Sequence, residues 1–217
     1  MIRVIPADEP AIFDDLIRKP GLRALAEMVG EPVSPPRRGR PRNVVATRRE
    51  DIEAKHFPEL WTQVLGDLML AYREICAYSC FRIHPVTGAR SVDHFVAKSK
   101  AWDKVYEWTN YRLACSGMNS RKLDFNDVLD PFEIESGWFQ LEMVGFQIIP
   151  SDGLSESVRQ AVRDTVVRLR LDEFRRSREI DAERYWAGLT PLQILDLESP
   201  FVASELRRQG RLNLGDT

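Results

Sequence analysis

Cysteine is scarce: the 217 residues include 3. So small and odd a number provides no disulfide framework and fits a reducing compartment. Long apolar runs are missing too. Leu68-Met69-Leu70-Ala71 is typical of the longest, whereas a membrane-spanning helix needs roughly 20 residues. The opening stretch Met1-Ile2-Arg3-Val4-Ile5-Pro6 carries no apolar core of the signal-peptide kind. Net charge is nearly absent: 31 Lys+Arg against 33 Asp+Glu leaves −2, which argues against a general polyanion coat. A cytoplasmic protein without membrane association is the expectation. What is present is a 43% hydrophobic content, enough for a sizeable core in one domain of roughly 150–200 residues with extensions.

The near-zero sum conceals segregation. Residues 37–49 hold six arginines (37, 38, 40, 42, 48 and 49) and no acid. Residues 124–142 hold six acids and no base. The acidic stretch cannot lie along a phosphate backbone, so it is expected on the far side or against a basic partner. Arg37-Arg38-Gly39-Arg40-Pro41-Arg42 resembles an AT-hook core. There, an extended Gly-centred chain lays arginines along the minor groove. The alternative is a solvated basic spacer.

Periodicity predicts helices over residues 11–18 and 22–29, then a linker to residue 46. Thr47-Arg48-Arg49-Glu50 has capping-box spacing, and Phe57 to Ile75 reads as a further helical run. From Cys76 to Phe95 short extended segments take over, broken by a turn at His84-Pro85-Val86-Thr87-Gly88. Residues 111–115 read as a strand and 117–125 as a helix. Residues 138–149 read as a hairpin around Val144-Gly145, apolar on both faces and therefore expected to be buried, in the core or at an interface. Ser155 caps a long helix to about Trp186, with a break near Ser177, and two short cap-plus-proline helices follow at Thr190-Pro191 and Ser199-Pro200. The arginines of residues 155–186 are interleaved with acids and read as a salt-bridged face.

The chemistry concentrates between Cys76 and Lys122. An Asp93-His94 pair ends one strand, Asn110 enters the next, and Asn119 sits on the helix after it with Arg121 and Lys122. That order suits phosphodiester hydrolysis. Asp93 and Asn119 offer hard oxygens for Mg²⁺ or Mn²⁺. His94, with an ordinary pKa near 6.5, is placed as a general base. Lys122 or Arg121 can hold a phosphate, and Arg112 adds to a basic island beside the site.

These residues resemble the HNH, or ββα-metal, nucleases. They are most similar to the HNH subunit of Septu-type anti-phage systems. The resemblance lies in Cys76-Ala77-Tyr78, Val92-Asp93-His94-Phe95-Val96-Ala97-Lys98-Ser99, Tyr106-Glu107-Trp108-Thr109-Asn110 and Asn119-Ser120-Arg121-Lys122. It implies an α+β fold with a central ββα-metal module, helical N- and C-terminal extensions and a small β-hairpin. The corresponding segments would be 1–46, 47–150 and 151–217. It implies His94 as the base, Asp93 and Asn119 as metal ligands, Asn110 as the residue that pins the ββα loop, and Lys122 at substrate phosphate. It also implies DNA as the substrate and an ABC- or SMC-like ATPase partner in antiviral defence.

The family's paired Cys-x-x-Cys knuckles are altered here. Cys80 falls one place late after Cys76, and Met118 stands three places after Cys115. A Cys₃His zinc site from Cys76, Cys80, Cys115 and His84 has unusual spacing, and loss of the structural Zn²⁺ is the favoured reading. His84 itself reads as a turn residue. Two further functions stay open: a non-catalytic nucleic-acid-binding or assembly subunit on a decayed HNH fold, and an RNA-cleaving effector.

Overall fold

The computed structural model describes residues 1–35 and 39–217. Helix α1 (Lys19–Met28) continues without a break from a π-helical turn at Asp14–Arg18. The two expected helices are therefore one. The wide turn gives way to the α-helix at Pro20, which has no N–H to give to an α-helical ladder. Gly21 packs directly under Tyr106; a Cβ there would lie 2.3 Å from the ring.

The helix expected from Thr47 reduces to two 3-10 turns, Arg49–Asp51 and Ala54–His56. Phe57 precedes Pro58 and is extended (φ −65°, ψ 122°), the geometry a following proline imposes. Downstream, a 3-10 turn at Leu60–Val64 leads into the short α2 (Leu65–Ala71). The chain leaves α2 through Arg73 and Glu74, both in the left-handed region.

Strand β1 (Arg90–His94) pairs antiparallel with β2 (Tyr111–Cys115), and α3 (Ser116–Lys122) follows β2 directly. Asp93 sits opposite Arg112 and His94 opposite Tyr111. A second antiparallel pair joins β3 (Phe139–Leu141) to β4 (Ile148–Pro150). This hairpin is not buried on both faces. Phe139, Leu141 and Ile148 are buried, Ile149 is exposed, and Val144 at the tip is 90% exposed.

Ser155 caps α4 (Glu156–Leu169), its hydroxyl accepting from Val158 N. The break comes at Arg170, in the left-handed conformation (φ 50°, ψ 45°), rather than near Ser177. The bend seats Leu171 in the core. It also lets Arg178, on α5 (Arg175–Trp186), donate to the carbonyls of Leu171 and Phe146. Helices α6 (Leu192–Glu198) and α7 (Pro200–Arg208) close the chain.

The fold is thus α+β: seven α-helices and two small antiparallel hairpins among the described residues. The segments 1–46, 47–150 and 151–217 share a single hydrophobic core. It contains Phe13 and Ile17 from the first, Trp61 and Leu113 from the second, and Leu169 and Phe201 from the third. Among the described residues, no helix is long and apolar enough to cross a membrane.

Candidate active site

An open pocket of about 630 Å³ lies where β1 ends, with the start of α3 and the turn carrying Trp61 as its other walls. Asp93, His94, Asn119 and Lys98 all line it. The strand–strand–helix order brings the first three together although Asp93 and Asn119 are far apart in sequence.

His94 is 7% exposed. Its Nε2 lies 3.0 Å from the carbonyl oxygen of Val105. A carbonyl only accepts, so the neutral ring carries its proton on Nε2 and leaves Nδ1 as an unprotonated acceptor. Trp61 meets the imidazole edge to face at 4.6 Å, and Tyr111 holds the other side at 5.1 Å. Burial first, and the nearby Lys98 charge second, push the His94 pKa down to about 3. The ring is therefore neutral at pH 7.

Asp93 is buried, and its Oδ2 accepts from the Tyr78 hydroxyl, with Lys122 Nζ at 3.5 Å. Burial raises the Asp93 pKa, and Lys122 opposes that rise. Asn119 uses its amide nitrogen, donating to Ser91 Oγ at 2.7 Å and to the Val92 carbonyl at 3.2 Å. Asn119 Oδ1 is left over, as is Asp93 Oδ1. Both are hard oxygens of the kind Mg²⁺ or Mn²⁺ takes, on residues that line the same pocket. No group of three or more His, Cys, Asp or Glu that could hold a metal is found among the described residues. The protein's share would be those two ligands.

Asn110 does not reach the pocket. Its Oδ1 accepts from Val96 N at 2.8 Å, and its Nδ2 donates to the carbonyls of Val96 and Lys104, each at 3.0 Å. Phe95 N donates to the Asn110 carbonyl at 2.9 Å. One side chain thereby clasps the chain leaving β1 to the chain entering β2.

The expected phosphate contact at Lys122 is corrected. Lys122 is wholly buried and donates to the carbonyls of Phe95 (2.8 Å) and His94 (3.4 Å) beside Asp93. Arg112 is likewise internal. It forms a bidentate pair with Asp130 (2.8 and 2.6 Å) and stacks 3.5 Å over Phe132. Arg121 reaches the α4 C-terminus, donating to the Leu169 carbonyl at 3.0 Å and pairing with Glu173 at 2.5 Å. Arg40 and Arg42 line a separate pocket of about 390 Å³ with His56. Arg37 and Arg38 lie outside the described residues.

Sequence reasoning gave no role to Lys98 and Tyr78. Lys98 is the one Lys or Arg among the described residues lining the site pocket. Its Nζ lies 4.3 Å over the Trp61 ring, and burial lowers its pKa, with Glu59 opposing. Its spacing of four after His94, just past a strand end, was the available signal. Tyr78 had none beyond its place after Cys76.

The three cysteines do not converge. Cys76 and Cys115 face each other with sulfurs 4.0 Å apart. Cys80 turns away, its sulfur accepting from Ile2 N at 3.3 Å. His84 stays in its turn, Nδ1 accepting from Val86 N and Thr87 N. Two ligands do not make the tetrahedral four that structural zinc takes, so zinc does not fit these residues. No family model matches the chain, and no curated protein matches it significantly.

Proposed function

We propose that this chain is a metal-dependent endonuclease of the HNH type, hydrolysing phosphodiester bonds in DNA. The observation that carries the reading is the His94 imidazole, locked by Val105 with Nδ1 unprotonated, on the same pocket wall as Asp93 and Asn119.

Asp93 and Asn119 would hold Mg²⁺ or Mn²⁺. The ion supplies Lewis-acid stabilisation of charge on the phosphate and the leaving oxygen. His94 Nδ1 takes a proton from the attacking water, a contribution of roughly 10²–10⁴-fold. Val105 fixes the ring orientation through Nε2 and accepts the hydrogen bond more strongly as the ring gains charge. Lys98 meets a phosphate oxygen. A phosphate seated there also offsets the Lys98 charge that depresses His94, so binding raises the basicity of the ring. Trp61 and Tyr111 restrict the ring to one orientation. The defence role and the ATPase partner rest on the resemblance of the quoted motifs alone.

A second reading is a binding or assembly subunit without catalysis. One observation favours it: Lys122 already lies beside Asp93, so a cation must share that carboxylate with an ammonium. Plasmid nicking with Mg²⁺ or Mn²⁺ separates the readings. The nuclease reading expects cutting by the natural chain, abolished in His94→Ala and nearly so in Asn119→Ala. Binding without metal-dependent cutting, or full activity in both variants, overturns it. Parallel incubations with single-stranded DNA and RNA identify the nucleic acid cut.

A further inference from the structure

Outside the pocket, one pair of reactive groups is left without a role. Cys76 and Cys115 are free thiols, 39 positions apart in sequence and 4.0 Å apart at sulfur. Their backbones run side by side: Ala77 N donates to the Leu113 carbonyl at 2.9 Å, and Cys115 N donates to Cys76 Sγ at 3.4 Å. An N–H aimed at sulfur favours the thiolate. Closing to a disulfide requires the sulfurs to approach by about 2 Å, to roughly 2.05 Å. The third thiol, Cys80, accepts instead from Ile2 N at 3.3 Å.

The two thiols differ. Cys76 receives the Cys115 N–H and lines a partly open pocket of about 370 Å³ with Ile2, Tyr72, Cys80 and Phe132. Cys115 is half-buried at the start of α3. That asymmetry suits Cys76 as the thiol that meets the oxidant and Cys115 as the one that resolves the product.

We propose that Cys76 and Cys115 form a peroxide-oxidisable dithiol that closes into a disulfide between the loop before β1 and the N-terminus of α3. The Cys76 thiolate attacks one oxygen of hydrogen peroxide. The O–O bond breaks and hydroxide leaves, taking a proton to become water. Cys76 is then a sulfenic acid. The Cys115 thiol gives up its proton and attacks that sulfur, the S–O bond breaks, and the second hydroxide leaves with that proton as water. Two thiols give up two protons and two electrons, and the peroxide becomes two waters. The disulfide ties the turn carrying Tyr78 to the helix carrying Asn119. The proposal stands on the thiol geometry and is independent of the nuclease reading.

The test is a peroxide titration of the purified full-length chain, freed of reductant. Free thiols are counted after denaturation, and linked peptides are mapped by mass. The expected result is a fall from three thiols to one, a 76–115 linkage two hydrogens lighter, and reversal by dithiothreitol. Cys80→Ser should fall from two thiols to none. Cys115→Ser should leave a sulfenic acid on Cys76 that a dimedone-type probe captures. If that variant does not fold, the natural chain and Cys80→Ser still decide. Three thiols surviving peroxide, a linkage through Cys80, or about one zinc per chain protecting Cys76 and Cys115 would each overturn the proposal.

Discussion

The Lys122 ammonium lies 3.5 Å from the Asp93 carboxylate, and neither side chain is more than 2% exposed. The pair is completed by the Tyr78 hydroxyl on the carboxylate and by the Phe95 and His94 carbonyls on the ammonium. Removing one member of such a pair strands the other charge. Lys122→Met should therefore lower stability by about 3–5 kcal/mol. Lys122→Met with Asp93→Asn should recover much of the loss. Denaturant melts of the four chains in this cycle check it, and a double variant no better than the single one would show the two groups to be uncoupled.

His94 makes stability depend on pH. Its folded pKa is pushed to about 3 from an ordinary 6.5, chiefly by burial. Between those values the unfolded chain binds a proton that the folded chain does not. The contribution is present in full above pH 6.5 and is lost as pH falls toward 3, with a limiting slope of about 1.4 kcal/mol per pH unit. His94→Gln should flatten that slope. Equal slopes in the two chains between pH 6 and 4 would remove His94 as its source.

Lys98 should tune His94 directly. Removing its positive charge in Lys98→Met takes away the second cause of the depression. The His94 pKa, followed by NMR of the ring protons, should rise. Under the nuclease reading the same variant should cut more slowly, by roughly 10-fold or more, for want of its phosphate contact. A pKa that stays put would place the Lys98 charge elsewhere in solution.

Asn110 separates geometry from charge. Its side chain accepts one hydrogen bond and donates two, all to backbone. Asn110→Ala should cost about 2–4 kcal/mol, at roughly 1 kcal/mol per bond plus the desolvated partners left behind. Asn110→Asp keeps the shape and the acceptor but lacks the donors. It should be as damaging as alanine or worse near pH 7 and should recover in part under acid. Thermal melts of both variants measure this.

Strands 111–115 and 138–149 were readable from short β-rich runs between turn residues, and the helix after Cys115 from its spacing. The meeting of Asp93, His94 and Asn119 on one wall follows from the order strand, strand, helix. Charges were read less well. Lys122, Arg112 and Arg121 look in sequence like a basic island, yet each has an internal partner that sequence alone does not mark. Asp130 lies 18 positions beyond Arg112, and Glu173 lies 52 beyond Arg121. Within the acidic stretch 124–142, Asp130 and Asp127 pair inside the chain with Arg112 and Arg168, and Asp124 lines the site pocket rather than lying on the far side. The long helices failed where local geometry overrode periodicity, at Phe57 before Pro58 and at the left-handed Arg170.

The bidentate embrace of Arg112 by Asp130 has a bearing on ionic strength. An arginine already paired inside the fold has no phosphate to neutralise and so releases no counterions from a nucleic acid. With Arg112, Arg121 and Lys122 engaged internally, Lys98 is left facing the pocket, and Arg40 and Arg42 line a separate one. Each phosphate neutralised contributes about −0.9 to the slope of log affinity against log salt on duplex DNA. Arg42 is itself paired with the buried Glu27 at 3.9 Å, so association with a polyanion through Lys98 and Arg40 would carry a slope near −2, shallow enough to persist as salt rises, and selectivity would fall to the shape of the pocket.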